Sequence, residues 1–130
     1  MFRREFCFAG APIAVALLCA LMGAAQAQAA GPPKKNYDAF AQCLASKKAN
    51  MYGAFWCLHC KDQRDLFGKS WKFAPYVECS VKGQPPSVQT PTCMLFQIGK
   101  YPTWIFANGT RYVGVLKLEE LSARTGCPLP

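Results

Sequence analysis

The chain has 130 residues, and removing an export-type leader leaves about one hundred, enough for one small core and too few for two. Its net charge of +8 comes from lysines and arginines scattered along the sequence; no basic cluster interleaved with aromatics is present, so a nucleic-acid surface is set aside. Paired carboxylates, a Ser-His-Asp set, a phosphate-binding glycine loop and a calcium loop are also missing, which leaves the eight cysteines to carry any chemistry.

Residues 1–29 read as a signal peptide. Arg3 and Arg4 precede an apolar stretch from Phe6 to Ala25, and Ala25-Gln26-Ala27 and Ala27-Gln28-Ala29 are small-x-small cleavage sites. An uncleaved N-terminal membrane anchor is the competing reading, since about twenty apolar residues can span a bilayer. Without Arg3, Arg4 and Glu5, the totals of fifteen basic and seven acidic residues become thirteen and six, a net charge of +7. Cys43, Cys57, Cys60, Cys79, Cys93 and Cys127 remain, and an even set in a small exported chain favours disulfides.

Residues 30–35 contain Pro32 and Pro33 and form a stiff linker ahead of a domain spanning 36–130. Asn36 can cap a helix over Tyr37–Lys47, with Phe40, Cys43 and Leu44 on one face. Asn50–Phe55 reads as a strand buried on both faces. It runs into Cys57-Leu58-His59-Cys60 and then a helical pattern, with Leu66 and Phe67 expected in the core and Gly68 as its stop. The helix is expected to reform briefly around Trp71.

Pro75–Cys79 follows as a second short strand, and Lys82–Pro91, with four glycine or proline residues, as a loop. Thr92 is expected to cap a short helix through Gln97. Thr103–Ala107 and Thr110–Val115 are strands joined by Asn108-Gly109, a two-residue hairpin signal. Lys117–Arg124 returns to helical spacing before Gly126. This order predicts an α/β fold with a mixed central sheet, a C-terminal antiparallel hairpin and flanking helices.

Two thiols at Cys-x-x-Cys spacing can form a redox pair, a structural bridge or part of a metal site. If Cys57 opens a helix, the unpaired backbone N–H groups there favour a reactive sulfur, and His59, the one histidine of the chain, could add a donor or a charge. Zinc held by Cys57, Cys60, Cys79 and Cys93 is the chemical alternative; export and the missing second Cys-x-x-Cys argue against it, and no metal is expected. Phe55, Trp104, Phe106 and Tyr112 are accounted for by core packing at strand positions.

The tracts YGAFWCLHCKDQRDLFG, YVECS, YPTWIFANGTRYVGV and LEELSARTGC together resemble thioredoxin-fold disulfide oxidoreductases. They are most similar to the small thioredoxin-like domains that partner, or are fused to, bacterial homologues of vitamin K epoxide reductase. The resemblance runs from Asn36 to Cys127 and implies a trimmed thioredoxin-like fold. It implies Cys57 as the nucleophile, Cys60 as the resolving thiol, Tyr101-Pro102 as the cis-proline site that meets substrate, and Trp56 as a substrate-facing aromatic.

Leu58 departs from the pattern where relatives often carry proline, which bears on oxidising strength more than on the chemistry. The implied activity is that of an exported, periplasmic oxidase acting on cysteine-containing proteins. A quinone-linked membrane partner would reoxidise it, and it would work as a monomer without a cofactor. A reductase or isomerase, and a non-catalytic binding module using the Tyr101-Pro102 edge, are the alternatives. The four remaining cysteines admit three pairings. Cys43–Cys127 would tie the domain's ends and Cys79–Cys93 would close the proline-rich loop, and these two are the expected structural disulfides.

Overall fold

The computed structural model describes residues 34–130, and Lys34–Pro130 form one compact unit. The expected signal peptide of residues 1–29, and the expected linker up to residue 33, lie outside the described residues.

Helix α1 spans Asp38–Ser46 and buries Phe40, Ala41 and Leu44. Asn36 precedes the cap position, which Tyr37 occupies; its side-chain oxygen accepts from the Asp38 N–H at 2.8 Å as a short turn. The helix ends with Lys48 in the left-handed region and the Ala49 N–H bonded back to the Leu44 carbonyl.

Strand β1, Asn50–Gly53, is one of the sheet's two interior strands. Helix α2, Leu58–Phe67, and a 3₁₀ turn, Gly68–Phe73, carry the chain to β2, Tyr76–Glu78, which pairs parallel with β1. Helix α3, Pro91–Leu95, leads to β3, Thr103–Ile105, antiparallel to β1. Strand β4, Arg111–Val113, pairs with β3, and helix α4, Leu118–Thr125, ends at Gly126 in the left-handed conformation. The sheet order β2-β1-β3-β4, mixed in direction and flanked by helices, is a small thioredoxin-like α/β fold.

Because side chains alternate across a strand, β1 feeds two cores. Met51 belongs to the larger one with Phe40, Leu44, Phe67, Trp104, Leu116 and Leu121. Tyr52 belongs to a smaller one with Cys79, Cys93 and Ile98 on the opposite face. No helix among the described residues is long and apolar enough to cross a membrane.

Four local expectations need correction. Strand β1 stops at Gly53, and Phe55 is 51% exposed: the Cys57 N–H closes a turn onto the Ala54 carbonyl, so the chain bends outward before the cysteines. On α2 the inward stripe is Cys60, Gln63 and Phe67 at helical spacing, which leaves Leu66 exposed beside it. Helix α3 starts with Pro91 after an extended Thr90, since proline's missing N–H costs nothing in a first turn. The hairpin loop has three residues, Ala107 to Gly109. The Gly109 N–H bonds to the Phe106 carbonyl at 2.8 Å, and Gly109 has a positive φ whereas Asn108 does not, so the two-residue turn that needs both is replaced by a turn and bulge.

Candidate active site

Cys57 occupies the cap position of α2 in extended conformation, and its sulfur accepts from the Cys60 N–H at 3.4 Å. A helix start leaves such N–H groups unpaired, so here one of them, and the helix's partial positive charge, face the Cys57 sulfur and would stabilise it as an anion. Cys57 is 8% exposed and Cys60 only 1%, and both are free thiols. Of the two sulfur-bearing residues, Cys57 is therefore the more accessible, and Cys60 is the more deeply buried.

Burial pushes the Cys60 thiol up to about 12, aided by its contact with Cys57 and that group's charge; a backbone hydrogen bond at Ala54 and the charge of Arg64 act in the opposite sense. At neutral pH Cys60 keeps its proton when the pair is reduced. The two sulfurs thus have different environments and different access.

The Tyr101–Pro102 peptide is cis, and the Tyr101 carbonyl oxygen lies 3.8 Å from the Cys57 sulfur. Trp56, 44% exposed, sets its ring edge-on to Tyr101 with centroids 5.8 Å apart. These residues border an open groove of about 650 Å³ whose other wall is the loop Pro86–Gln89. His59 also lines the groove, but its Nδ1 lies 3.5 Å from the Asp62 carboxylate in the next turn. Among the described residues it makes no hydrogen bond to either cysteine.

Cys43 is bridged to Cys127, and Cys79 to Cys93. The first bridge joins α1 to the residue after α4's glycine cap, and the second closes the proline-rich loop beneath the smaller core. Cys79 and Cys93 are thus bonded to each other, and among the described residues no three His, Cys, Asp or Glu side chains gather as a metal site.

Four residues that the sequence reading did not single out shape this region. Gly53 is required by close approach: a Cβ there would stand 2.8 Å from the Cys60 sulfur and 3.0 Å from the Tyr76 ring. A glycine inside a strand near the cysteine pair was an available signal. Glu78 accepts from the Phe55 N–H at 3.2 Å, the Tyr76 hydroxyl at 2.6 Å, the Ser80 N–H at 3.0 Å and the Ser80 hydroxyl, so it ties β2 to the turn that presents Cys57. Burial alone would raise this carboxyl, but hydrogen bonds from Ser80 and Tyr76 outweigh it and hold the group below its ordinary value. Burial, then the bond to Glu78, pushes the Tyr76 hydroxyl upward. Gln63 lies fully inside, and Gln89 sits on the groove wall.

No family model matches the chain. Over 93 residues, 70% of its length, it is 40% identical to "Thiol-disulfide oxidoreductase LTO1" of Arabidopsis thaliana. It spans only 24% of that protein, so it is homologous to one part of a larger molecule.

Proposed function

We propose that this thioredoxin-fold homologue of a thiol–disulfide oxidoreductase is an exported oxidase that donates a Cys57–Cys60 disulfide to cysteine-containing proteins. The observation that carries the reading is the asymmetry of the pair. Cys57 stands at a helix start beside Tyr101-Pro102, and Cys60 is buried behind it with a strongly held proton.

In the oxidised protein, a substrate thiolate attacks the Cys57 sulfur and forms a mixed disulfide. Cys60 leaves as a thiolate and takes up a proton, which its raised pKa favours at neutral pH. The substrate's second thiolate then attacks the substrate sulfur of the mixed disulfide and expels Cys57. Two electrons pass from substrate to protein, and the substrate leaves with a disulfide. The Cys60 N–H and the α2 helix start favour the reduced product at Cys57, which supports the oxidising direction. A quinone-linked membrane protein resembling vitamin K epoxide reductase would take the two electrons and regenerate the disulfide. Export rests on the leader-like residues 1–29.

The test is equilibration of the pair against glutathione, together with turnover of a reduced dithiol peptide. An oxidising potential, well above the roughly −270 mV of thioredoxin, is expected. A value near thioredoxin's would replace the oxidase by a reductase. Cys57→Ser is expected to abolish turnover; unchanged turnover would leave a binding module.

A further inference from the structure

The loop closed by Cys79–Cys93 lines the groove with Pro86, Ser87 and Gln89, and Gln89 is the one of these whose side chain hydrogen-bonds to the cis-proline segment. The loop's two arms meet where Ser80 and Gln89 form an isolated bridge, and the Thr90 N–H bonds to the Cys79 carbonyl at 2.8 Å, so Gln89 stands one residue from a bond that ties down the loop's base. From there the Gln89 amide crosses to the cis-proline segment. Its Nε2 donates to the Ile98 carbonyl at 2.7 Å and to the Tyr101 hydroxyl oxygen.

A carbonyl only accepts, so the Ile98 contact decides that the NH₂ end of Gln89 faces this side. The Tyr101 oxygen is therefore an acceptor toward Gln89, and its own hydrogen must point elsewhere. Among the described residues that hydroxyl donates to no protein acceptor. Tyr101 and Gln89 both line the groove that holds Cys57, and Trp56 braces the tyrosine ring from the other side.

We propose that the Tyr101 hydroxyl is a substrate-binding donor, taking a main-chain carbonyl of the extended segment that carries the reacting cysteine, and that Gln89 is its positioning residue. This rests on the groove being the oxidoreductase's substrate site. A main-chain acceptor is the fitting partner, because every extended segment laid across Cys57 presents one beside its cysteine whatever its sequence. The stapled loop then acts on binding through Gln89 and Tyr101, with its own disulfide unchanged throughout.

The experiment uses the full chain in its oxidised form and a reduced dithiol peptide of about ten residues. Tyr101→Phe removes the donor, Gln89→Ala frees it to rotate, and Gln89→Glu captures its hydrogen. Each is expected to raise KM about 5-fold with kcat and the Cys57–Cys60 potential unchanged, the scale of one neutral hydrogen bond. Gln89→Ala added to Tyr101→Phe is expected to raise KM no further. An unchanged KM in Tyr101→Phe, full additivity in the double variant, or a shift of potential in parallel with KM overturns the inference while wild-type turnover still supports the redox reading. A wild-type protein that oxidises no peptide overturns that reading, and this inference with it.

Discussion

Gln63 and Glu78 are polar side chains in the two neighbourhoods that α2 joins, and they hold them by different chemistry. Gln63 is wholly buried and neutral: its Nε2 donates to the Leu116 carbonyl at 2.9 Å, and its Oε1 accepts from the Leu116 N–H at 2.7 Å and the Trp104 indole at 3.2 Å. One amide thereby pairs with a backbone residue as a strand neighbour would, and locks α2 to the hairpin side of the sheet. Glu78 is partly exposed and charged, and gathers donors from Phe55, Tyr76 and Ser80 around the turn before Cys57. The frame is therefore held by a neutral amide that carries no charge at any pH, whereas the turn before Cys57 depends on a carboxylate that is lost only in acid. Placing the ionisable clamp at the edge lessens the cost of desolvating a charge, which the fully buried Gln63 position would impose in full.

The largest test of this division removes the covalent part of the frame. Replacing Cys43 and Cys127 together by Ser opens a ring with a sequence separation of 84. Guanidinium denaturation of the oxidised protein is expected to show a loss of about 4 to 5 kcal/mol, with the Cys57–Cys60 potential unmoved. A shifted potential would mean that frame and turn are not separable.

Next in size is Gln63→Leu, which leaves the Trp104 indole N–H and both backbone groups of Leu116 without partners in the core. Urea titration should register a loss of about 3 kcal/mol, of equal size at pH 5 and pH 8. A loss that varied between those values would show that a titrating group shares the site.

The smallest effect belongs to Glu78→Gln, expected to cost about 1 kcal/mol at pH 7 because the clamp is partly solvated. Its pH dependence is the sharper readout. The folded carboxyl is depressed, so its contribution is fully present above the ordinary glutamate value of about 4.3 and is lost as pH falls through the lower folded value. Urea midpoints of wild type and variant should differ at pH 7 and draw together as acid protonates the carboxylate. A gap that persisted in acid would assign Glu78 a purely steric part.

Much of the architecture was legible because its signals are local. Alternation and turn residues give the order of strands and helices, and Gly109 and Gly126 mark the hairpin and the last helix stop where the backbone turns left-handed. Errors arose where one residue's surroundings are set from far along the chain. Leu66 looks like a core residue, and nothing local marks Gln63 as one, until the sheet decides which stripe of α2 faces inward. Phe55 looks like strand until the turn at Ala54 sends it outward. His59, between the cysteines in sequence, turns to Asp62 one helical turn on.

The Cys57-Leu58-His59-Cys60 stretch carries its meaning within four residues, since the spacing itself lets two thiols meet at a helix start. By itself the sequence thus determined which two thiols stand at Cys-x-x-Cys spacing before a helix and the kind of fold that carries them. Only the tertiary structure decided their inequality: the packing that buries Cys60, the Tyr101 carbonyl brought to Cys57 and the Gln89 amide on the groove wall join residues 12 to 44 positions apart. Pairings at such separations depend on which surfaces the sheet brings together, and no local pattern records that choice.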